Sequence, residues 1–472
     1  MKGNQTKIYT VFTSEGLFGS TQTYPLHHPE ETVLKNQEIL EKIKELTSEV
    51  EFLGRPEPEN WEYVLGSIKG QQNNLDGILF FGTNPGPLLK IDLPVIAVFP
   101  LWGQWPPTYN SFSDNRVLTS CLPVIPDKSD EVFNQRLKDI ARKINLIKTL
   151  SSIKDLRILI ITDKPILGAY EPMDYQIGKE GREEYEKRYL RNLARLGGKV
   201  VIRPQSEMVS RMDTVSDKRA KQIKEKWVEE AVEIKGTNKN EIKKSAKLYL
   251  VMKEMMEEYD TTAITTEGYG EFINYEDGPI PSQGLPSSQL STEGIVATSE
   301  TLLDSLITQY LGLNITGFAG FNGDYVIDEN INKAYIGHCE CPFNVFGDER
   351  KRPYTIRNLP QYSIGEQEKG GASVKVDLPA GEKVTVVKIG LNEQKMSLFT
   401  GESKKGAQLF PGWDDILCRT KLAINTRADL LLKNVNWKAF GNHRVAFFGD
   451  YRQDFKNLAK LMGLEVIEKD KI

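Results

Sequence analysis

Apolar and polar positions fall along this chain in three successive textures. Up to about residue 150, short unbroken apolar runs alternate with stretches of helical period. Lys7–Phe12 is a run rich in β-formers, and Leu75–Phe81 and Val95–Phe99 are apolar runs ending at Gly or Pro. Glu31–Glu51 carries Val33, Ile39, Leu40, Ile43 and Leu46 close to a helical repeat, and Phe133–Leu150 predicts a second helix. Buried strands separated by helices indicate a parallel α/β sheet. The pattern then restarts with strands at Leu156–Thr162, Lys199–Ile202 and Thr261–Thr266 and a long charged helical stretch from Asp217 to Glu258. After about residue 340 the runs shorten and Gly and Pro multiply. Ala372–Leu378, Lys383–Leu391 and Met396–Thr400 predict closely spaced antiparallel strands or a small barrel. Val445–Phe448 reads as a strand and Tyr451–Met462 as a helix ended by Gly463.

The expected architecture is therefore α/β, with two Rossmann-like parallel α/β domains followed by a β-rich, barrel-like C-terminal domain. Boundaries are expected at 1–152, 153–335 and 336–472. A length of 472 residues supports more than one core. Hydrophobic residues at 39% and charged ones at 27% are those of an ordinary globular chain, and no apolar run approaches the ~20 residues that cross a bilayer. A net charge of -4 gives no electrostatic reason to expect nucleic acid or an anionic membrane as partner. The four cysteines are too few for a disulfide framework, which predicts a reducing cytoplasm. There are four histidines, His27, His28, His338 and His443, so any imidazole chemistry draws on a short supply.

Candidate chemistry gathers between Leu285 and Asp324. Glu300 is expected in the first turns of an amphipathic helix carrying Leu302, Leu303, Leu306, Ile307, Tyr310 and Leu311. Asp324 is expected just past a strand at Ile315–Phe321, where open α/β sheets place their ligands. On these residues alone, Glu300 reads more readily as a charge interacting with a helix dipole and Asp324 as a turn former.

Four pieces in order change that balance. They are S-x-L-S-x-E-G-I-V-A-x-x-E ending at Glu300, G-D at Asp324, G-H-C at His338, and G-N-H-R-V-A-F-F-G-D-Y-R-Q-D-F-K-N-L-A-K-L-M-G-L-E-V containing His443. Together they resemble the L-fucose/L-arabinose isomerase family, closest to its L-fucose isomerase branch. The likeness is good from about residue 285 onward, fair over 155–285 and thin before. It implies an aldose–ketose isomerase acting on a monosaccharide through an enediolate, with Glu300, Asp324 and His443 as metal ligands and the two carboxylates as acid–base groups. Two carboxylates and an imidazole with open positions suit Mn²⁺, with Mg²⁺ or Co²⁺ as competitors. The resemblance also implies a homo-oligomer, a trimer or hexamer, in which the first domain lids a neighbour's site.

The chain departs from the family at Leu302, where many members have an acid two residues after the ligand Glu. The three-ligand version leaves His338 spare, bonded to backbone or touching substrate. Glu267 and the strand-end tryptophans Trp102 and Trp105 are further substrate-binding candidates, each weighed against ordinary packing or solvation. His338-Cys339-Glu340-Cys341 suggests zinc, but no second cysteine pair completes a structural site. The run Arg350-Lys351-Arg352 with Arg357 motivates an alternative substrate, an anionic sugar such as sulfoquinovose. In another functional class, two α/β lobes make a non-catalytic sugar-binding or sensor protein.

Overall fold

The computed structural model describes residues 5–12, 29–57, 59–82, 84–100, 116–122, 131–164, 166–167, 177–267, 281–347, 351–359, 371–405 and 418–472. The chain forms two compact units, Met1–Ser152 with Asp454–Glu465, and Ile153–Gln453 with Val466–Ile472. No helix among the described residues is long and apolar enough to cross a membrane.

The first unit is a five-stranded sheet of β1 (Thr6–Phe12), β2 (Val50–Leu53), β3 (Gly77–Phe81), β4 (Val95–Pro100) and β5 (Val117–Leu122), in the order β2-β1-β3-β4-β5. Every pairing is parallel. β3 is buried at all five positions because helices supply apolar cover, among them Glu131–Ser151 with Ile140, Ile144 and Ile147 at 0% exposure. The C-terminal helix Arg452–Met462 contributes to this unit through the bidentate ion pair of Arg142 with the buried Asp454.

The second unit holds a smaller parallel sheet and a barrel. Its first strands are β6 (Arg157–Ile161), β7 (Lys199–Arg203), β8 (Glu233–Lys235), β9 (Ala263–Thr266) and β10 (Val296–Thr298). β10-β9-β6-β7 form the parallel sheet. The helical stretch expected from Asp217 to Glu258 is in fact two helices, Asp217–Glu230 and Lys239–Glu258, with β8 between them. The break follows from Gly236 at φ +74 and from Asn238, whose side chain caps the second helix.

The later strands are β11 (Phe321–Asp328), β12 (Lys333–His338), β13 (Tyr354–Arg357), β14 (Ser373–Val376), β15 (Lys383–Gly390), β16 (Lys395–Lys404), β17 (Thr420–Asn425), β18 (His443–Phe448) and β19 (Glu465–Glu468). β15-β18-β11-β12-β17-β16 run in sequence, and β16 pairs back with β15, closing a six-stranded antiparallel barrel. Closure removes the open edges that six such strands would otherwise expose. Tyr325, Ile336, Leu422, Phe399, Val386 and Ala446 belong to one buried apolar cluster of this unit. The three-stranded sheet β14-β13-β8 joins residues near 234 to residues near 356, and the barrel begins at Phe321. The stretches 153–335 and 336–472 therefore share sheets within one unit.

Candidate metal centre

Three segments of the second unit bring its charged residues together. The first is the link between β10 and the helix Leu303–Thr316. Glu300 is not in that helix; it lies in a turn with Thr301, at φ +65 and +49. Two consecutive non-glycine residues in the left-handed region are uncommon, and such strain collects at functional sites. The turn is held by Thr301 N–H donating to the Thr266 carbonyl at 2.9 Å, tying Glu300 to the C-terminal end of β9.

The second and third segments are barrel strands. Asp324 does not follow a strand end. The helix runs through Ile315 to Thr316 and stops at Gly317, in the left-handed conformation, so the strand starts only at Phe321 and Asp324 is its fourth residue. In the antiparallel register Asp324 pairs with His443 on β18 and with Gly337 on β12. Residue 323 must be glycine, since a Cβ there would stand 2.6 Å from the Gly337 carbonyl oxygen. That close approach of β11 to β12 brings His338, the last residue of β12, toward Glu300.

Glu300, His338 and His443 offer ligand atoms that all lie within 4.8 Å of one another and could hold a metal ion. Glu300 Oε1 is 4.0 Å from His338 Nε2, and its Oε2 is 3.5 Å from His443 Nε2. Both imidazoles are 2% exposed. Burial, reinforced by His443, pushes the His338 pKa down to about 3, so its ring is neutral and keeps a lone pair for a cation. One carboxylate and two imidazoles fit a divalent transition ion. Asp324 stands beside this group, its Oδ1 3.6 Å from His443 Nε2. Its side chain is 42% exposed against 14% for Glu300, and Asn442 Nδ2 donates to it at 2.6 Å.

Two ligands expected from the resemblance, Glu300 and His443, are thus in the group. His338, expected to be spare, is its third member, and Asp324 flanks it. The sequence reading missed Glu340, a buried carboxyl whose Oε1 accepts from Ser299 N–H at 3.1 Å and lies 3.8 Å from His338 Nδ1. Burial, with Ser299 opposing and Glu300 adding to it, pushes its pKa up to about 8. The available signal was a lone acid inside the otherwise apolar run Cys339–Phe343.

Glu267 is not a solvated loop charge. It is buried at the end of β9, where its Oε2 accepts from Thr162 Oγ1, Asp163 N–H and Gln205 Nε2 at 2.6–3.1 Å. Trp102 and Trp105 lie outside the described residues, as does Arg350. Of the basic run, Arg352 is bound to the Asp377 carbonyl and Arg357 is buried on β13. Comparison with protein-family models gives no match, and comparison with curated proteins gives none either.

Proposed function

We propose that this chain is a divalent-metal-dependent aldose–ketose isomerase of a monosaccharide, akin in its motifs to the L-fucose isomerase branch. The observation that carries the reading is the convergence of Glu300, His338 and His443, with the Asp324 carboxylate on the same histidine. Mn²⁺ is the ion we propose, with Mg²⁺ and Co²⁺ as competitors. When bound, the ion would polarise the sugar carbonyl and stabilise the negative charge of an enediolate.

The chain's own residues account for the proton movements. Interconversion needs one base that takes the C2 proton and returns it to C1, and one group that moves a proton between O1 and O2. Glu300 and Asp324 are the two carboxylates available. Asp324 is the more exposed, so an entering sugar meets it first. Glu300 is held by its strained turn between the two histidines. His338 and His443, both buried, would orient the ion rather than carry protons.

The test is direct. Chelation should abolish aldose–ketose interconversion, Mn²⁺ should restore it, and Glu300→Gln should leave a folded but inactive protein. Full activity in metal-free protein would overturn the proposal. A panel of L-fucose, D-arabinose, L-arabinose and sulfoquinovose reads out the substrate, and sedimentation tests the expected trimer or hexamer. Thermal stabilisation by sugar without turnover would favour a sensor instead.

A further inference from the structure

The His338 ring lies between two carboxyl groups. Its Nε2 edge faces Glu300 Oε1 at 4.0 Å, and its Nδ1 edge faces Glu340 Oε1 at 3.8 Å. Glu340 is 5% exposed, and its Oε2 is sealed from solvent. The same Oε1 accepts the Ser299 N–H, the residue immediately before Glu300. One buried carboxyl therefore touches both chain segments that deliver the Glu300 and His338 ligand atoms. The sequence brings it there simply: β12 ends at His338, and two residues later the chain presents Glu340 beneath the Glu300 turn.

We propose that Glu340 is a positioning residue that takes the His338 Nδ1–H, fixing the tautomer whose Nε2 lone pair points to the metal. This rests on the metal-centre reading and adds the group that orients one of its ligands. A ligating histidine needs its other ring nitrogen protonated and held, and a carboxylate does this best while raising the ring's basicity. A cation held at Nε2 would favour the ionised carboxyl, and an amide in the same place keeps the Ser299 bond and the shape but cannot ionise. That separates the proposed role from plain packing.

The test compares wild type, Glu340→Gln, His338→Ala and the double variant, with Mn²⁺ alone as the probe. Metal-free thermal unfolding checks each fold, and isothermal titration reads Mn²⁺ affinity. Glu340→Gln should unfold close to wild type yet bind Mn²⁺ about 10–100-fold more weakly. The double variant should bind no worse than His338→Ala, because Glu340 acts through that ring. Unchanged Mn²⁺ affinity in Glu340→Gln, or losses that simply add, would overturn the inference and leave the metal centre standing. Wild-type protein that binds no Mn²⁺ would overturn both. Nitrogen-15 histidine labelling gives an independent reading that needs no variant, since the chain has four histidines. In Mg²⁺-loaded wild type, His338 should appear as the Nδ1–H tautomer with a slowly exchanging proton, and the opposite tautomer refutes the role.

Discussion

Glu393, in the turn between β15 and β16, makes the second unit's stability depend on pH. Its Oε1 accepts from Tyr185 Oη at 3.1 Å. Burial first, and the nearby Asp304 carboxylate second, push its pKa up to about 7 from the ordinary 4.5, while Arg188 opposes them. Asp304 accepts from Tyr189 Oη and from Leu391 N–H, so the negative charge beside Glu393 is fixed in place. Because the folded pKa is raised, the stabilising contribution belongs to the protonated form. It is present in full below about pH 4.5, is lost as the pH rises through about 7, and is absent above that. The gap between the two values sets a ceiling of ~3 kcal/mol. The side chain is only partly hidden, so solvent screening brings this to about 1–2 kcal/mol. Glu393→Gln keeps the acceptor for Tyr185 and stays neutral at every pH. In metal-free protein followed by calorimetry, its midpoint should match wild type at pH 5 and exceed it by roughly 1–3 °C at pH 8. An equal difference at both pH values would refute the assignment of the effect to ionisation.

Two further substitutions probe how the barrel delivers its ligands. Gly323→Ala would drive a Cβ to 2.6 Å from the Gly337 carbonyl oxygen, which as strand backbone cannot turn aside. It should lower the unfolding free energy by about 1–3 kcal/mol and weaken Mn²⁺ binding, since His338 and Asp324 both neighbour the contact. Arg444 is 2% exposed, donates to the carbonyls of Phe440, Gly441 and His443, and lies 5.0–5.8 Å from the rings of Tyr325, Trp437 and Phe440. Arg444→Met strips those carbonyls of their donor and should cost roughly 3 kcal/mol by chemical denaturation, with partial recovery in Arg444→Lys. Equal stability of the Met and Arg forms would show that the carbonyls find other partners.

The fold was most legible where burial alone decides secondary structure. The runs at Lys7–Phe12, Val95–Phe99, Lys199–Ile202 and Lys383–Leu391 became β1, β4, β7 and β15 within a residue or two, and their parallel or antiparallel character followed from what lay between them. Reading failed where one residue overrides a periodic pattern. Apolar Ile315 continued toward Phe321 as an apparent strand, yet Gly317 at φ +83 ended a helix there, and Asp324 moved from a strand end into a strand interior. The Glu300 turn was illegible for a similar reason: the pattern Leu302–Leu311 reads as a helix that should include Glu300, and nothing in it announces two left-handed residues.

Resemblance and geometry inform the site in different ways. The motif pieces single out residues by their order along the chain, so they point to Glu300 and His443 but leave His338 idle. That both imidazoles reach Glu300 is decided by strand register, because β12 and β18 pair directly with β11 on its two sides. Glu340 belongs to the same class of hidden information. Its meaning comes from Ser299 and His338, 41 and two residues away in sequence, meeting one oxygen. A cluster assembled from a strained turn and two strand ends has no local signature. Its ligands must therefore be tested in combination, with Asp324→Asn beside His338→Ala. If His338 is a ligand and Asp324 an acid–base group, the first variant should lose turnover while keeping wild-type Mn²⁺ affinity, and the second should bind Mn²⁺ more weakly. Reversal of that pattern would return the ligand set to Glu300, Asp324 and His443.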